Sequence, residues 1–343
     1  VDDAQFIGGP EVQAFESAFS RYIGTRQCIG VGNGTDALEL ALEASGIGEG
    51  DEVVVPALSY AATSDAVLRV GAQPVFVDVD SNYNLDPDLL KEALAGSHVR
   101  AVIPVHLYGN PFDVVRHLKS QVEEGLLVIE DAAQAHGAAV RNQVVGSMGH
   151  AAAFSFYPGK NLGAWGDAGC IVTSDENLAT TVRRLSNHGR LEKFDHEIAG
   201  RNSRLDDLQA CVLTAKLSRL DVWLGKRHEN ATKYMSALAD LEWLVLPSVG
   251  DECVHAWHQF VVAVPDRKDF RRFLSEREVE TGVHYPYALP DLPFHRGKKS
   301  QAPRAREAAE QVVSLPVGEH LTAAETDRVV EVVASYRPTR RET

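Results

Sequence analysis

The chain has 343 residues, 44% of them hydrophobic, which is enough to bury a large core and a length that suggests two domains. A net charge of −14 repels polyanions and so argues against a nucleic-acid partner, and no apolar stretch approaches the roughly 20 residues of a membrane helix. Cys28, Cys170, Cys211 and Cys253 lie far apart, without a C-x-x-C pair or zinc spacing, and residues 1–10 lack the basic start of a signal peptide. The expectation is a soluble protein of the reducing cytoplasm with no metal site.

From about residue 27 to 173, short β-branched runs alternate with helical stretches, the pattern of a mostly parallel sheet covered on both faces. Strands are predicted at 28–31, 52–55, 73–77, 101–104, 126–129, 151–156 and 169–173, and helices at 35–44, 61–70, 86–94 and 111–124. Beyond Asn202 the pattern changes. Residues 205–220 and 224–238 read as long amphipathic helices, followed by a strand at 258–264, a helix at 269–277, a segment rich in proline and aromatics at 284–293, and a last helix at 323–335. The reading is an α/β protein with a large domain, 1–220, built on a seven-stranded sheet, and a smaller C-terminal α/β domain, 221–343. The polar tail 337–343 reads as frayed.

Three segments carry chemistry. The first, Gly30-Val31-Gly32-Asn33-Gly34-Thr35-Asp36-Ala37, follows a strand and opens a helix, so its free N–H groups and the Thr35 hydroxyl suit a phosphate. The same residues satisfy a loose dinucleotide fingerprint. Asp51 and Glu52, however, stand at the start of the next strand, whereas a ribose would need an acid at its end, which is Pro56-Ala57. The structural alternative is a plain turn with a Thr cap.

The second segment, Leu126-Leu127-Val128-Ile129-Glu130-Asp131, is a buried strand ending in carboxylates, at the sheet edge where ligands of open α/β folds gather. Asp131 there could keep a pyridine nitrogen protonated and make the ring an electron sink; Glu130 faces the other way. A capping acid is the plainer reading.

In the third, Ala153-Phe154-Ser155-Phe156-Tyr157-Pro158-Gly159-Lys160-Asn161-Leu162-Gly163, a strand ends in a hydroxyl fit for phosphate, and five residues later a lysine sits in a Gly/Pro turn among apolar neighbours. Partial desolvation lowers a lysine pKa and frees its amine as a nucleophile, although a lone lysine is ordinarily a solvated surface charge. A phosphate-binding Walker loop is excluded by Phe154 and Asn161.

Together the segments resemble the DegT/StrS family of sugar aminotransferases, which adopt fold type I of the pyridoxal-phosphate-dependent transferases, the fold of aspartate aminotransferase. The likeness rests on Gly32-Asn33-Gly34-Thr35-Asp36-Ala37-Leu38, Glu130-Asp131-Ala132-Ala133-Gln134-Ala135-His136-Gly137 and Ser155-Phe156-Tyr157-Pro158-Gly159-Lys160-Asn161-Leu162-Gly163, in order and spacing. Gly200-Arg201-Asn202-Ser203-Arg204-Leu205-Asp206 and Gly282-Val283-His284-Tyr285-Pro286 extend it over nearly the whole chain. The resemblance implies that Lys160 forms a Schiff base with pyridoxal 5'-phosphate, Asp131 pairs with the pyridine nitrogen and Gln134 bonds the ring hydroxyl. Gly34, Thr35 and Ser155 hold the phosphate, Tyr60 stacks on the ring, and Asn202 reaches the phosphate of a second subunit, so a homodimer with shared sites is implied. His188 and Tyr285 fall where the family approaches substrate. Relatives carry a further stretch ahead of the segment resembling Phe6-Ile7-Gly8-Gly9-Pro10, and relatives that dehydrate sugars carry histidine in place of the lysine, which Lys160 argues against.

The implied reaction moves an amino group from an amino acid, most often L-glutamate in such enzymes, to a nucleotide-linked keto-hexose. The segments around Lys160 and Asn202 look more like members acting at C3 than at C4. Competing readings are a 4-keto-sugar aminotransferase, a regulator that binds pyridoxal phosphate without turnover, and a nicotinamide (NAD)-linked oxidoreductase. Other features read as bland: His255 and His258 as packed histidines, Arg296-Gly297-Lys298-Lys299 as a solvated loop, and Arg183, Arg184 and Arg190 as surface ion pairs.

Overall fold

The computed structural model describes residues 6–95, 98–250, 252–295 and 300–338. The basic cluster 296–299 and the end of the tail, 339–343, lie outside them. Seven strands form the central sheet, in the spatial order Gln27–Val31, Gly169–Thr173, Ala151–Ser155, Leu127–Asp131, Val99–Val102, Glu52–Pro56 and Gln73–Val77. Neighbours pair in parallel except at Gly169–Thr173, which runs antiparallel to both of the strands beside it. All seven predicted strands form, with ends displaced by no more than two residues.

The strand Glu52–Pro56 shows why the sheet is covered twice. Val53 and Val55 face a core filled by the helices Gly34–Ala44, Ala62–Arg69 and Glu176–Ser186, while Val54 faces a second core with Leu90 and Leu118, and all three valines are fully buried. Next to that second core, Pro10–Ile23 and Asp207–Leu217 pack Phe15, Phe19, Ala210 and Leu213 against Cys28, Phe154 and Cys170. Pro10–Ile23 and Glu176–Ser186 are helices that the sequence reading did not name. The first carries proline at its start and Gly24 after its end at φ 87°, a conformation that favours glycine.

A smaller core gathers Tyr234, Phe260, Phe270, Val313 and Tyr336 around an antiparallel pair, Phe260–Ala263 with Val312–Leu315. The helix Leu220–Ala237 joins the two parts: Leu220 and Leu224 pack with Phe19 in the large core, and Ala231 and Tyr234 lie in the small one. It begins four residues before the predicted start because Leu220 is drawn into the large core. Among the described residues, no helix is long and apolar enough to cross a membrane.

Candidate active site

Asp131 ends its strand buried, at the carboxyl edge of the parallel part of the sheet. Its Oδ2 accepts from the Thr63 hydroxyl at 2.7 Å and its Oδ1 from the Ala133 N–H at 3.2 Å. Burial pushes the carboxyl above its usual range, and those two donors, with the cation of Lys160, oppose the push. Glu130 points to the opposite face, as strand alternation requires. Its two oxygens accept the N–H groups of Gly146, Met148 and Gly149 at 2.9, 2.9 and 2.7 Å, and His106 Nε2 lies 3.0 Å away. Because His106 Nδ1 accepts the Phe112 N–H, the ring proton is on Nε2 and is donated to Glu130.

Lys160 lies in the turn after Ala151–Ser155, its N–H bonded to the Tyr157 carbonyl at 2.8 Å. The loop is pinned from three sides. The Lys216 ammonium donates to the Gly163 carbonyl at 2.6 Å, Asn161 Nδ2 donates to the Ala256 carbonyl at 2.8 Å, and Asn161 Oδ1 meets His258 Nδ1 at 3.3 Å. Desolvation lowers the Lys160 pKa to about 8, with the Asp131 charge acting against it. Three imidazoles stand close enough to feel the lysine's charge. Burial, and after it the lysine's charge, bring His136 down to about 3 and lower His258 and His284, so all three are neutral imidazoles. Sequence reasoning missed them in this role. His136 and His284 lie inside the motifs and His258 reads from sequence as packing, and no local spacing links residues 136, 258 and 284 to Lys160.

At the phosphate-type turn, Asn33 caps the helix in place of the Thr35 cap weighed from sequence. The Asn33 side chain accepts the Asp36 N–H at 2.9 Å and its carbonyl accepts the Ala37 N–H. Thr35, inside the first turn, thereby keeps its hydroxyl out of the cap. Gly34 abuts Ser155 so closely that a Cβ on it would lie 2.7 Å from the serine Cβ. The structure therefore brings Gly34, Thr35 and Ser155 to one place, beside the strand that leads to Lys160.

Gln134 is held at both ends: its Oε1 accepts the Tyr108 N–H at 2.6 Å, and its Nε2 donates to the Tyr285 hydroxyl at 2.8 Å. The Tyr60 ring, largely exposed, lies 5.6 Å from that of Tyr285. Asp131, Lys160, Gln134, Tyr60 and Tyr285 thus form one group. His188 and Asn202 form another. His188 is exposed at φ 57° and donates its N–H to Arg201, and Asn202 bridges Asn187 and accepts from Arg204 Nε at 2.9 Å. Their strip is tied to the turn through Ser203, which accepts the Gly32 N–H at 3.0 Å and donates to Asp36 at 2.5 Å. Within one chain, these two residues side with the turn and not with Lys160.

His255 stacks on Trp257 at 3.9 Å, and among the described residues no three His, Cys, Asp or Glu side chains gather as a metal site. Arg183 pairs with Glu16 at 3.0 Å and Arg184 with Glu197 at 3.1 Å, while Arg190 bonds the Lys193 carbonyl. The strand leading into the glycine turn is at the edge of the sheet, and Glu52–Pro56 runs out into buried Ala57 and Leu58, so the carboxylate that a dinucleotide ribose requires is replaced there by apolar side chains.

The mostly parallel seven-stranded sheet, with Asp131 and Lys160 at its carboxyl edge, has the fold of the pyridoxal-phosphate-dependent aminotransferases. The chain belongs to the DegT/DnrJ/EryC1/StrS aminotransferase family, whose profile matches residues 1–334. It is 42% identical over 340 residues, 98% of this chain and 89% of the relative, to a dTDP-3-amino-3,4,6-trideoxy-alpha-D-glucose transaminase of Streptomyces venezuelae. It is also 42% identical, over 98% of this chain and 93% of the relative, to a dTDP-3-amino-3,6-dideoxy-alpha-D-galactopyranose transaminase of Aneurinibacillus thermoaerophilus. Among solved structures, S. venezuelae DesV in complex with a ketimine intermediate superposes with a TM-score of 0.94 at 43% identity, covering 97% of this chain and 90% of that one. NtdA of Bacillus subtilis with bound cofactor PMP gives 0.89 at 32%, covering 97% and 78%.

Proposed function

We propose that the protein is a pyridoxal-phosphate-dependent aminotransferase that takes an amino group from an amino acid, L-glutamate being the expected donor, and places it on C3 of a nucleotide-linked keto-hexose. One observation carries the reading: Asp131 ends one strand buried and Lys160 sits in the pinned turn after the neighbouring parallel strand, so that the two meet at the carboxyl edge of the sheet, where burial lowers the lysine pKa to about 8. The residues present fit the cofactor. The close approach of Gly34 to Ser155 leaves a cradle that a Cβ would fill, and the cap by Asn33 leaves the first helical N–H groups and the Thr35 hydroxyl for phosphate oxygens. When bound, the cofactor supplies an aldehyde conjugated to a pyridine ring that draws electron density from the carbon next to an amine.

The chain's own groups do the rest. Lys160 Nζ would hold the cofactor, and the same amine, when free, would take the proton from the donor's α-carbon and, with the sugar in place, give one to the carbon that gains nitrogen. Asp131 would keep the ring nitrogen protonated, Gln134 would bond the ring hydroxyl and Tyr60 would stack on the ring. Tyr285, bonded to Gln134, would approach the sugar from the same chain, and His188, which lies with Asn202 apart from Lys160 within one chain, would approach it across the shared site. The names of the two transaminase relatives, both 3-amino sugars, support C3 over C4. The decisive assay offers a dTDP-linked 3-keto-hexose and its 4-keto isomer: turnover of the first alone supports the reading, and turnover of the second alone overturns it.

The site is read as shared between two copies. Phe6 and Ile7 lie against Asp206 and Asp207, and the Trp165 N–H donates to Gln209 at 2.8 Å, so Phe6, Ile7, Trp165 and Leu208 converge on the start of one helix. Trp165 is 75% exposed and Leu208 62%. A second copy covering this apolar patch is consistent with Asn202, four residues from Asp206, reaching the partner's phosphate. Sedimentation showing a fully active monomer would contradict it.

A further inference from the structure

The Asp131 carboxylate has a conflict to resolve. To pair with a ring nitrogen it must be ionised and turned one way, yet its burial favours the protonated form. The Thr63 hydroxyl lies 2.7 Å from Oδ2, and Ser59 Oγ lies 2.8 Å behind Thr63 Oγ1, with Thr63 fully buried and Ser59 nearly so. While Asp131 is ionised, the single Thr63 proton goes to the carboxylate, so the shared Ser59 proton goes to Thr63. Proton donation then runs one way, Ser59 to Thr63 to Asp131. Protonating Oδ2 would oblige both hydroxyls to turn round inside a closed space.

The segment that carries these hydroxyls is itself fixed. Thr63 sits in the first turn of Ala62–Arg69, and its branched side chain has few alternatives there. The next residue, Ser64, donates to the Ala61 carbonyl at 3.2 Å and meets His295 Nε2 at 3.0 Å. Tyr60 belongs to the same stretch and brings its ring to Tyr285. One turn therefore sets both the ring-covering residue and the partner of the carboxylate.

We propose that Thr63, backed by Ser59, is a positioning residue of this enzyme, holding the Asp131 carboxylate ionised and in one orientation toward the cofactor ring. The proposal rests on the aminotransferase reading of the site. The titratable groups that Asp131 feels are Lys160, His106 and Tyr285, all of which remain in the variants below.

The test uses cofactor-loaded enzyme and compares Thr63→Val, which keeps the shape and removes the donor, with Thr63→Ser, which keeps the donor. Two properties are read: the pH midpoint of the bound cofactor's visible absorbance, and kcat and KM for the amino donor. Thr63→Val is expected to move the acid-side midpoint to higher pH and to lower kcat by about tenfold to a hundredfold, the range for a lost hydrogen bond to a charged group, with KM little changed. Thr63→Ser is expected to restore both. A Thr63→Val enzyme with wild-type midpoint and kcat, or a Thr63→Ser enzyme as impaired as Thr63→Val, overturns the proposal. Should Thr63→Val not fold, Ser59→Ala decides: a midpoint raised in the same direction supports the relay, and an unmoved one sinks it. A wild-type protein with no cofactor absorbance would remove the underlying reading and the proposal together, whereas wild-type absorbance with an unmoved variant removes the proposal alone.

Discussion

Gln134 and Tyr285, 151 positions apart in the chain, meet in a 2.8 Å hydrogen bond from the glutamine amide to the phenol oxygen. The bond ties the loop after the Asp131 strand to the segment ahead of Val312–Leu315, so the residue proposed to bond the cofactor ring and the one proposed to approach the sugar are set by one contact. Replacing Tyr285 by Phe leaves Gln134 anchored at its other end by Tyr108. The expected cost is about 0.5–1.5 kcal/mol in urea unfolding, with kcat/KM for the nucleotide sugar falling more than the rate of the half-reaction with the amino donor. Equal losses in both half-reactions would show that Tyr285 acts through the ring and not through the sugar.

Glu130, next to Asp131, does a different job. Its carboxylate gathers three backbone N–H groups of the 146–149 loop and the His106 ring proton, all on the far face of the strand. Glu130→Ala strips buried donors of their acceptor, and a loss of about 3–5 kcal/mol is expected. Thermal unfolding of the apoprotein measures it; a midpoint close to wild type would mean that water replaces the carboxylate.

The lowered pKa of Lys160 has a thermodynamic consequence. In the apoprotein its value is about 8 against an ordinary 10.5, so between those pH values the unfolded chain binds the proton more tightly, and stability rises with pH through the window. Below about pH 8 the buried ammonium costs on the order of 3 kcal/mol, a penalty that Lys160→Met removes. Urea midpoints at pH 7 and pH 10 should therefore show the variant ahead of wild type at the lower pH, with the gap closing at the higher. A gap independent of pH would mean that the amine is not desolvated.

Much of this was legible beforehand. The seven strands announce themselves as β-branched runs such as Glu-Val-Val-Val-Pro, and Asp131 and Lys160 could be placed because each ends or follows such a run. The helix Glu176–Ser186 was not named although Asp175 caps it, its N-terminal side chain accepting from Asn177 and Leu178. Val312–Leu315 follows a helix without a turn residue between, so its strand character is set by pairing with Phe260–Ala263 and not by a local signal. The histidines around Lys160, the Thr63 contact and the Gln134–Tyr285 bond depend on long-range closure, which no local spacing encodes. The Asn33 cap was readable in principle, since Asn is as good a cap as Thr, and only the register of the first turn decides between them.

The most direct test of the account is chemical. Protein loaded with pyridoxal phosphate is reduced with borohydride, digested and mapped by mass spectrometry, with Lys160→Ala treated alongside. The account predicts one pyridoxyl-phosphate addition in wild type, on the peptide containing Lys160, and none at the corresponding position of the variant. Cofactor-loaded wild type in which Lys160 is recovered unmodified would contradict it.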